Sequence, residues 1–269
     1  MQIINRLFVI PLSLKIGLNL ALITQQQSHR TMASFQSTKD KFLSMDINEK
    51  RKHYKCGDNY VRLDQIPRWS EQSKQYQTKE QTINVCSKYK PNAEMNDRLS
   101  LFNGDITTLE IDAIVNAANE QLAGGGGVDG FIHRAAGYED LQAECRTLNG
   151  CRTGDCKMTG GYRLPAKYII HCVGPIGEKP DLLASCYQRA LDSLRDNQLR
   201  SIAFPCISTG IFGYPNENAA HIALNTIRHW FENSTTNIQS IDRIIFCLFL
   251  DKDIEIYNRL IREYFPPTQ

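Results

Sequence analysis

Residues 113–137 read AIVNAANEQLAGGGGVDGFIHRAAG. Ala113–Asn116 is a short, nearly continuous apolar run, the pattern of a strand covered on both faces. Seven residues later come four glycines, Gly124, Gly125, Gly126 and Gly127, then Val128, Asp129 and Gly130. Val128–Ala136 has the spacing of an amphipathic helix. Consecutive glycines let a backbone approach a ligand closely and adopt positive φ. Their N–H groups form an anion nest, and the helix that follows adds its positive end. The stretch reads as a cradle for phosphate or pyrophosphate. Gly125, Gly127 and Gly130 also satisfy G-x-G-x-x-G, but a dinucleotide fingerprint turns directly from strand to helix, and here seven residues intervene. No Gly-Lys-Ser/Thr follows, which excludes a P-loop.

Asp129 at the start of that helix reads two ways. It is a first-turn acid favoured by the helix dipole, or a reacting carboxylate beside a bound anion. His133 lies four residues on and shares its helical face; a lone histidine there is ordinarily a hydrogen-bonded structural residue. Neither has a Cys or His partner at metal-ligand spacing along the chain, so no metal is expected. Asn116 and Asn119 flank the end of the strand. Asn marks turns, and its neutral amide also holds ribose hydroxyls or a water.

Outward from this stretch, Leu99–Asn103, Tyr168–Val173, Ser201–Pro205 and Arg243–Leu250 also read as strands. Glu139–Leu148, Leu182–Asp196, Ala219–Phe231 and Ile254–Tyr264 read as helices. Alternating strands and helices imply an α/β fold, a mostly parallel sheet with helices on both faces. Ligands of such sheets bind beyond the carboxyl ends of the strands. After Ser201–Pro205 comes a second small-residue loop, Cys206, Ile207, Ser208, Thr209, Gly210, Ile211, Phe212, Gly213. Its hydroxyls and amides suit the other side of a pyrophosphate, and Phe212 a sugar face; the plain alternative is a strand-to-helix turn. Asp105, after the first strand, is placed to accept from an exocyclic amine or to cap a turn. Phe249, at the end of the last strand, is core or a stacking surface for a base.

The chain has 269 residues, 42% hydrophobic and 22% charged, which excludes a disulfide miniprotein, a collagen-like fibre and a wholly disordered chain. The net charge of +2 hides a split. Residues 1–98 hold 16 Lys/Arg against 9 Asp/Glu, a charge of +7, and residues 99–269 carry −5. Three regions follow: a leader over 1–39, a basic extension and linker over 40–98, and a globular domain over 99–269. The leader contains no Asp or Glu, which fits a mitochondrial presequence, although Arg6 and Lys15 do not share one helical face. A secretory signal, a disordered N-terminus or a start at Met32 are the rivals. Leu7–Ile23 is too interrupted for a membrane span, so no stable membrane insertion is expected.

In the extension, Lys50-Arg51-Lys52-His53-Tyr54-Lys55 is the densest basic cluster. It reads first as a solvated helix face and second as a nucleic-acid contact. Val61–Trp69 has the apolar content to dock on the main domain, whereas Glu71–Gln81 reads as linker. Nine scattered cysteines without C-x-x-C spacing give no zinc knuckle or redox dithiol. Cys172, Cys206 and Cys247 lie in apolar runs and read as buried free thiols, favouring a reducing intracellular compartment.

Taken together, GDITTLEIDAIVNAANEQLAGGGGVDGFIHRAAG (104–137), GGYRLPAKYIIHCVGP (160–175) and FPCISTGIFGYP (204–215) resemble the macrodomain family, in its MacroD-type ADP-ribosyl hydrolase branch. HYKCGDNYVRLDQIPRW (53–69) resembles the extension that precedes the domain in that branch. The resemblance implies a three-layer α/β/α domain with a mixed, mostly parallel sheet, preceded by a partly helical extension. It implies ADP-ribose as ligand or product, with no cofactor. Asp105 would then contact the adenine amine, Ile106 would line its pocket and Phe249 would stack on the ring. Gly125, Gly126, Gly127 and Val128 would enclose the diphosphate together with Ser208, Thr209, Gly210, Ile211 and Phe212. Asn116, Asn119, Asp129 and His133 would surround the distal ribose.

Two functions share this pocket. One is hydrolysis of mono-ADP-ribose from acidic side chains of proteins, and of O-acetyl-ADP-ribose. The other is a non-catalytic reader of ADP-ribosylated proteins. The set Asn119, Asp129 and His133 beside the glycine loop favours the hydrolase, because a reader has no use for it. No zinc-ligand cluster and no triple glycine with paired glutamates occurs, which disfavours the zinc-dependent and chain-cleaving branches. The expected partners are mono-ADP-ribosylated proteins, with nucleic acid disfavoured and a monomer expected. The expected location is intracellular: mitochondrial if the leader is a presequence, otherwise cytosol or nucleus.

Overall fold

The computed structural model describes residues 35–77 and 88–268. The presequence reading of the leader therefore falls on residues outside those described, except for 35–39. Those five residues already belong to a helix, α1, over 35–44. Phe35 is buried in it, and Lys39 pairs with buried Glu144 of the main domain. The boundary expected at residue 39 thus falls inside a packed helix.

Helix α2 (Ile47–Arg51) is capped by Asp46, whose side chain accepts from the Asn48 N–H. It carries the first two residues of the basic cluster, Lys50 and Arg51, and half of that cluster is not solvated. Lys50 is buried and donates to the carbonyls of Pro165 and Ala166. Burial pulls its ammonium down to about 8. Arg51 makes a forked pair with Glu110 at 2.8 and 2.7 Å, which Tyr54 joins with its hydroxyl. These two cations are spent on packing, while Lys52, His53 and Lys55 stay exposed.

Strand β1 (Val61–Arg62) then pairs in parallel with β3 (Leu109–Glu110) of the main domain. Helix α3 (Trp69–Gln77) occupies most of the stretch expected as linker. Trp69 is fully buried, and its indole donates to the Phe265 carbonyl at 2.8 Å. Gln72 donates to the Leu101 carbonyl and accepts from the Leu101 N–H, so its amide caps the free edge of a strand. A helix that works through polar side chains shows little hydrophobic periodicity, which is why it reads as linker. After α4 (Ala93–Asp97) the main domain begins.

The main sheet has six strands: β2 (Leu99–Asn103), β4 (Ala113–Ala117), β5 (Cys156–Gly160), β6 (Tyr168–Cys172), β7 (Ser201–Phe204) and β8 (Arg243–Leu248). Their order is β2-β8-β7-β4-β6-β5, parallel throughout except for β5 against β6. The expected mixed, mostly parallel sheet is what is found. Side chains alternate between two cores, as a pleated strand dictates. Ala113, Val115, Ile202, Phe204, Ile244 and Phe246 face one core. That core is closed by α7 (Pro180–Asp196), α8 (Asn216–Glu232) and α10 (Asp251–Tyr264). Ile114, Ile169, Ala203 and Ile245 face the other, closed by α5 (Gly127–Ala136), α6 (Tyr138–Thr147) and the extension. Three layers follow from that parity. A short α9 (Thr235–Ser240) precedes the last strand. Among the described residues no helix is long and apolar enough to cross a membrane.

Strand β5 is not evident from its sequence, CKMTG, because it is a half-exposed edge strand without an apolar run. It corrects the reading of Cys172. In the antiparallel β5–β6 pair Cys156 and Cys172 are register partners, 4.2 Å apart at Cα, and they form a disulfide. Cys247 is a buried free thiol as expected, and Cys206 is free but only half-buried.

Candidate active site

The carboxyl ends of β2, β4, β6, β7 and β8 open on one cleft of about 570 Å³. Its walls are the segments that follow those strands: Gly104–Ile106, Ala117–Asn119 with Gly125–Asp129, Gly174, Pro205–Phe212 without Ile207, and Phe249–Leu250. Asp105, Ile106, Asn119, Gly125, Gly126, Gly127, Val128, Asp129, Ser208, Thr209, Gly210, Ile211, Phe212 and Phe249 all line it. Residues more than a hundred positions apart meet because parallel strands deliver their loops to the same edge.

The glycine run builds one wall. Gly126 caps α5, and Gly127 takes φ +59°, a left-handed value that suits glycine. Gly130 packs so closely on the loop that a Cβ there would lie 2.3 Å from the Gly125 carbonyl oxygen. The opposite loop holds Ser208 at φ +69°, tied by a Tyr214 N–H to Ser208 C=O bond. The Ser208 hydroxyl is buried without a hydrogen-bond partner. At the far end Asp105 caps a short turn, accepting at one oxygen, Oδ1, from the Thr107 N–H and hydroxyl, each at 2.8 Å. Phe249 is 77% exposed and Ile211 88%, so two large apolar side chains stand open at the cleft. Phe249 therefore is not core.

Asp129 is 5% exposed and gripped on both oxygens. Oδ1 accepts from Asn116 Nδ2 at 2.7 Å, and Oδ2 from the Gly125 N–H at 2.8 Å. Asn119 Nδ2 stands 3.5 Å from Oδ2, and His133 Nε2 stands 3.4 Å from Oδ1. Burial lowers the basicity of His133 and outweighs the nearby Asp129 carboxylate, so the ring is held neutral.

Two expected ribose contacts are placed differently. Asn116 and His133 are fully buried and do not line the cleft. They stand behind Asp129. The reason is strand and helix parity: Asn116 shares its face of β4 with Ile114, and His133 shares its face of α5 with Asp129, turned one layer inward.

The sequence reading missed what lies behind them. His171 of β6, Thr159 of β5 and Cys145 of α6 converge on Asn116 and His133. His133, Cys145 and His171 offer three possible metal-ligand atoms within 4.8 Å of one another. Chain spacing conceals this group because its members come from three elements. Both His171 nitrogens already face hydrogen-bonding neighbours, Asn116 Nδ2 at 3.0 Å and Thr159 Oγ1 at 2.9 Å. The available signal was parity: a histidine two places after Ile169 in a buried strand must face the same core.

The Macro domain family model matches residues 115–223. The chain is 48% identical over 242 residues to ADP-ribose glycohydrolase MACROD1 of Rattus norvegicus, covering 88% of this chain and 90% of that protein. The chain belongs to the macro domain family. This macrodomain is also 50% identical over 246 residues to ADP-ribose glycohydrolase MACROD2 of Mus musculus. That match covers 89% of this chain and spans half the length of the relative. Among solved structures, the Trypanosoma brucei macrodomain in complex with ADP-ribose is 38% identical with a TM-score of 0.68, over 83% of this chain and 86% of that one. The Oceanobacillus iheyensis macrodomain with ADP is 41% identical with a TM-score of 0.57, over 62% of this chain and 92% of that one.

Proposed function

We propose that this macrodomain is an ADP-ribosyl hydrolase. Its substrates are mono-ADP-ribose esterified to Asp or Glu side chains of proteins, and O-acetyl-ADP-ribose. Water is the co-reactant, and the products are the free carboxylic acid and ADP-ribose. The two relatives are named ADP-ribose glycohydrolases, which supports the hydrolase reading.

The observation that carries the reading is the grip on Asp129. Its carboxylate borders the cleft at the glycine wall, and three groups from strand β4 and the one loop that follows it meet its two oxygens. A diphosphate lies between the Gly125–Val128 amides and the Ser208–Phe212 loop, held by backbone N–H groups and the N-terminal end of α5. Asp105 keeps its second oxygen for the adenine amine, and Phe249 covers the ring. The distal ribose then falls beside Asn119 and Asp129. There Asp129 accepts a hydrogen bond from the attacking water, alone or together with a ligand phosphate. Proton transfer by a positioned group contributes about 10²–10⁴-fold, and fixing the ester in the diphosphate clamp contributes the remainder.

The test is release of ADP-ribose from a protein mono-ADP-ribosylated on acidic residues, by the wild type and by Asp129→Ala. We expect turnover by the wild type and its loss in the variant, with ADP-ribose still bound by both. Tight binding without release by the wild type would make the protein a reader instead.

A further inference from the structure

Asn116 touches Asp129 on one side and His171 on the other, and the proton on each bond can be assigned from chemistry alone. Asn116 Nδ2 lies 2.7 Å from Asp129 Oδ1 and 3.0 Å from His171 Nδ1. A carboxylate only accepts, so the amide must turn its nitrogen to this side. Its two N–H groups then serve one acceptor each. His171 Nδ1 is therefore an unprotonated acceptor, and the ring proton sits on Nε2. Nε2 is 2.9 Å from Thr159 Oγ1. The Thr159 hydroxyl accepts there and donates to the Gly160 carbonyl at 3.2 Å.

The chain has one consistent polarity. A proton on His171 Nδ1 would set two donors against each other and drive the Asn116 amide to flip. The flip would turn its oxygen toward the Asp129 carboxylate, which repels it. The orientation is also not the preference of the amide itself, because Asn116 Oδ1 is left buried without a partner. Such an orphan is costly, so the two acceptors impose the arrangement.

The surroundings keep the chain in this state. His171 is fully buried, and burial holds its basicity down to about 3. The other titratable groups packed around the cluster are His133 of α5, kept neutral, and Cys145 of α6, whose buried thiol is pushed up to about 12. The remaining charges are the Asp129 carboxylate itself and, behind Thr159, the buried carboxylate of Glu144 on α6, which accepts from the Gly160 N–H at 3.0 Å and pairs with Lys39.

We infer that His171, held by Thr159, orients the Asn116 amide and through it the reacting carboxylate of Asp129. His171 and Thr159 are positioning residues: both are buried and neither lines the cleft. The inference deepens the hydrolase reading and rests on it for the word "reacting".

The experiment uses the full chain and the variants Thr159→Val and Thr159→Ser. Valine keeps the shape of threonine and removes both hydrogen bonds; serine keeps them. We expect Thr159→Val to lower kcat at least about tenfold. KM and the Kd for ADP-ribose by calorimetry should stay at wild-type values. Thr159→Ser should restore kcat, which lost packing alone would not explain. Nitrogen NMR of histidine-labelled wild type should show His171 neutral, with its proton on Nε2, from pH 5 to 8. A wild-type kcat in Thr159→Val, or a proton on Nδ1, overturns the inference. If the wild type releases no ADP-ribose, the hydrolase reading falls, while the NMR tautomer still decides whether the chain exists.

Discussion

Gly130→Ala adds one methyl group on α5, outside the line of residues that face the ligand. Its Cβ would lie 2.3 Å from the Gly125 carbonyl oxygen, whereas real Cβ contacts essentially never fall below 3.0 Å. The oxygen belongs to the backbone and cannot rotate away, so the glycine loop must retreat by at least 0.7 Å, the difference of those two distances. The Gly125 N–H rides on the same residue and now holds Asp129 Oδ2 at 2.8 Å. A retreat of that size takes it to the limit of hydrogen bonding. A bond to a charged group contributes about 1.5–3 kcal/mol, which is about 10–100-fold in rate if it is lost only where the carboxylate must be aimed. The remaining strain should cost about 1–3 kcal/mol of stability, as overpacking does. The assay is steady-state release of ADP-ribose from an acidic-residue-modified protein, with calorimetric Kd and urea unfolding on the same preparation. We expect a folded variant with kcat down by about one to two decades. A folded variant with wild-type kcat would show that the Gly125 amide has no part in holding Asp129.

Other predictions test separate links. Phe249→Ala removes an exposed aromatic side chain (77% exposed), so stability should not change, while ADP-ribose affinity by calorimetry should fall about tenfold if the ring stacks on a base. Trp69→Ala should destabilise the whole domain by about 3–5 kcal/mol in urea unfolding, because the ring is fully buried between the extension and the domain. A loss confined to the extension would refute that. For His171 the folded-state pKa of about 3 lies below the ordinary 6.5, so the unfolded chain binds the extra proton between those values. Its contribution to stability is complete above pH 6.5 and declines as pH falls toward 3. Between pH 7.5 and 5 the wild type should lose about 2 kcal/mol more than His171→Asn, at about 1.4 kcal/mol per pH unit below 6.5. Equal losses by chemical denaturation would show that the ring is already charged in the folded state.

The extension shows where local reading stops. Its basic run looks solvated because charge along a chain says nothing about what faces it. In the fold Glu110 and the carbonyls of Pro165 and Ala166 supply the partners, and all of them are distant in sequence. The same holds for α3, whose polar Gln72 is a strand-edge cap, and for β5, an edge strand legible mainly through its partner.

Periodicity alone determined where along the chain the doubly covered strands and their covering helices fall, because such a strand must be apolar throughout and a covering helix apolar on one face. Glycine chemistry determined where an anion would sit, because a run of backbone donors before a helix has few other uses. Which side chains meet that anion was decided only by the tertiary structure. Asn116 and His133 lie within the most informative stretch of the sequence, yet face inward. His171 and Thr159 lie outside it, yet stand behind the carboxylate. Strand parity and sheet order set those positions, and both are properties of pairing between segments far apart along the chain.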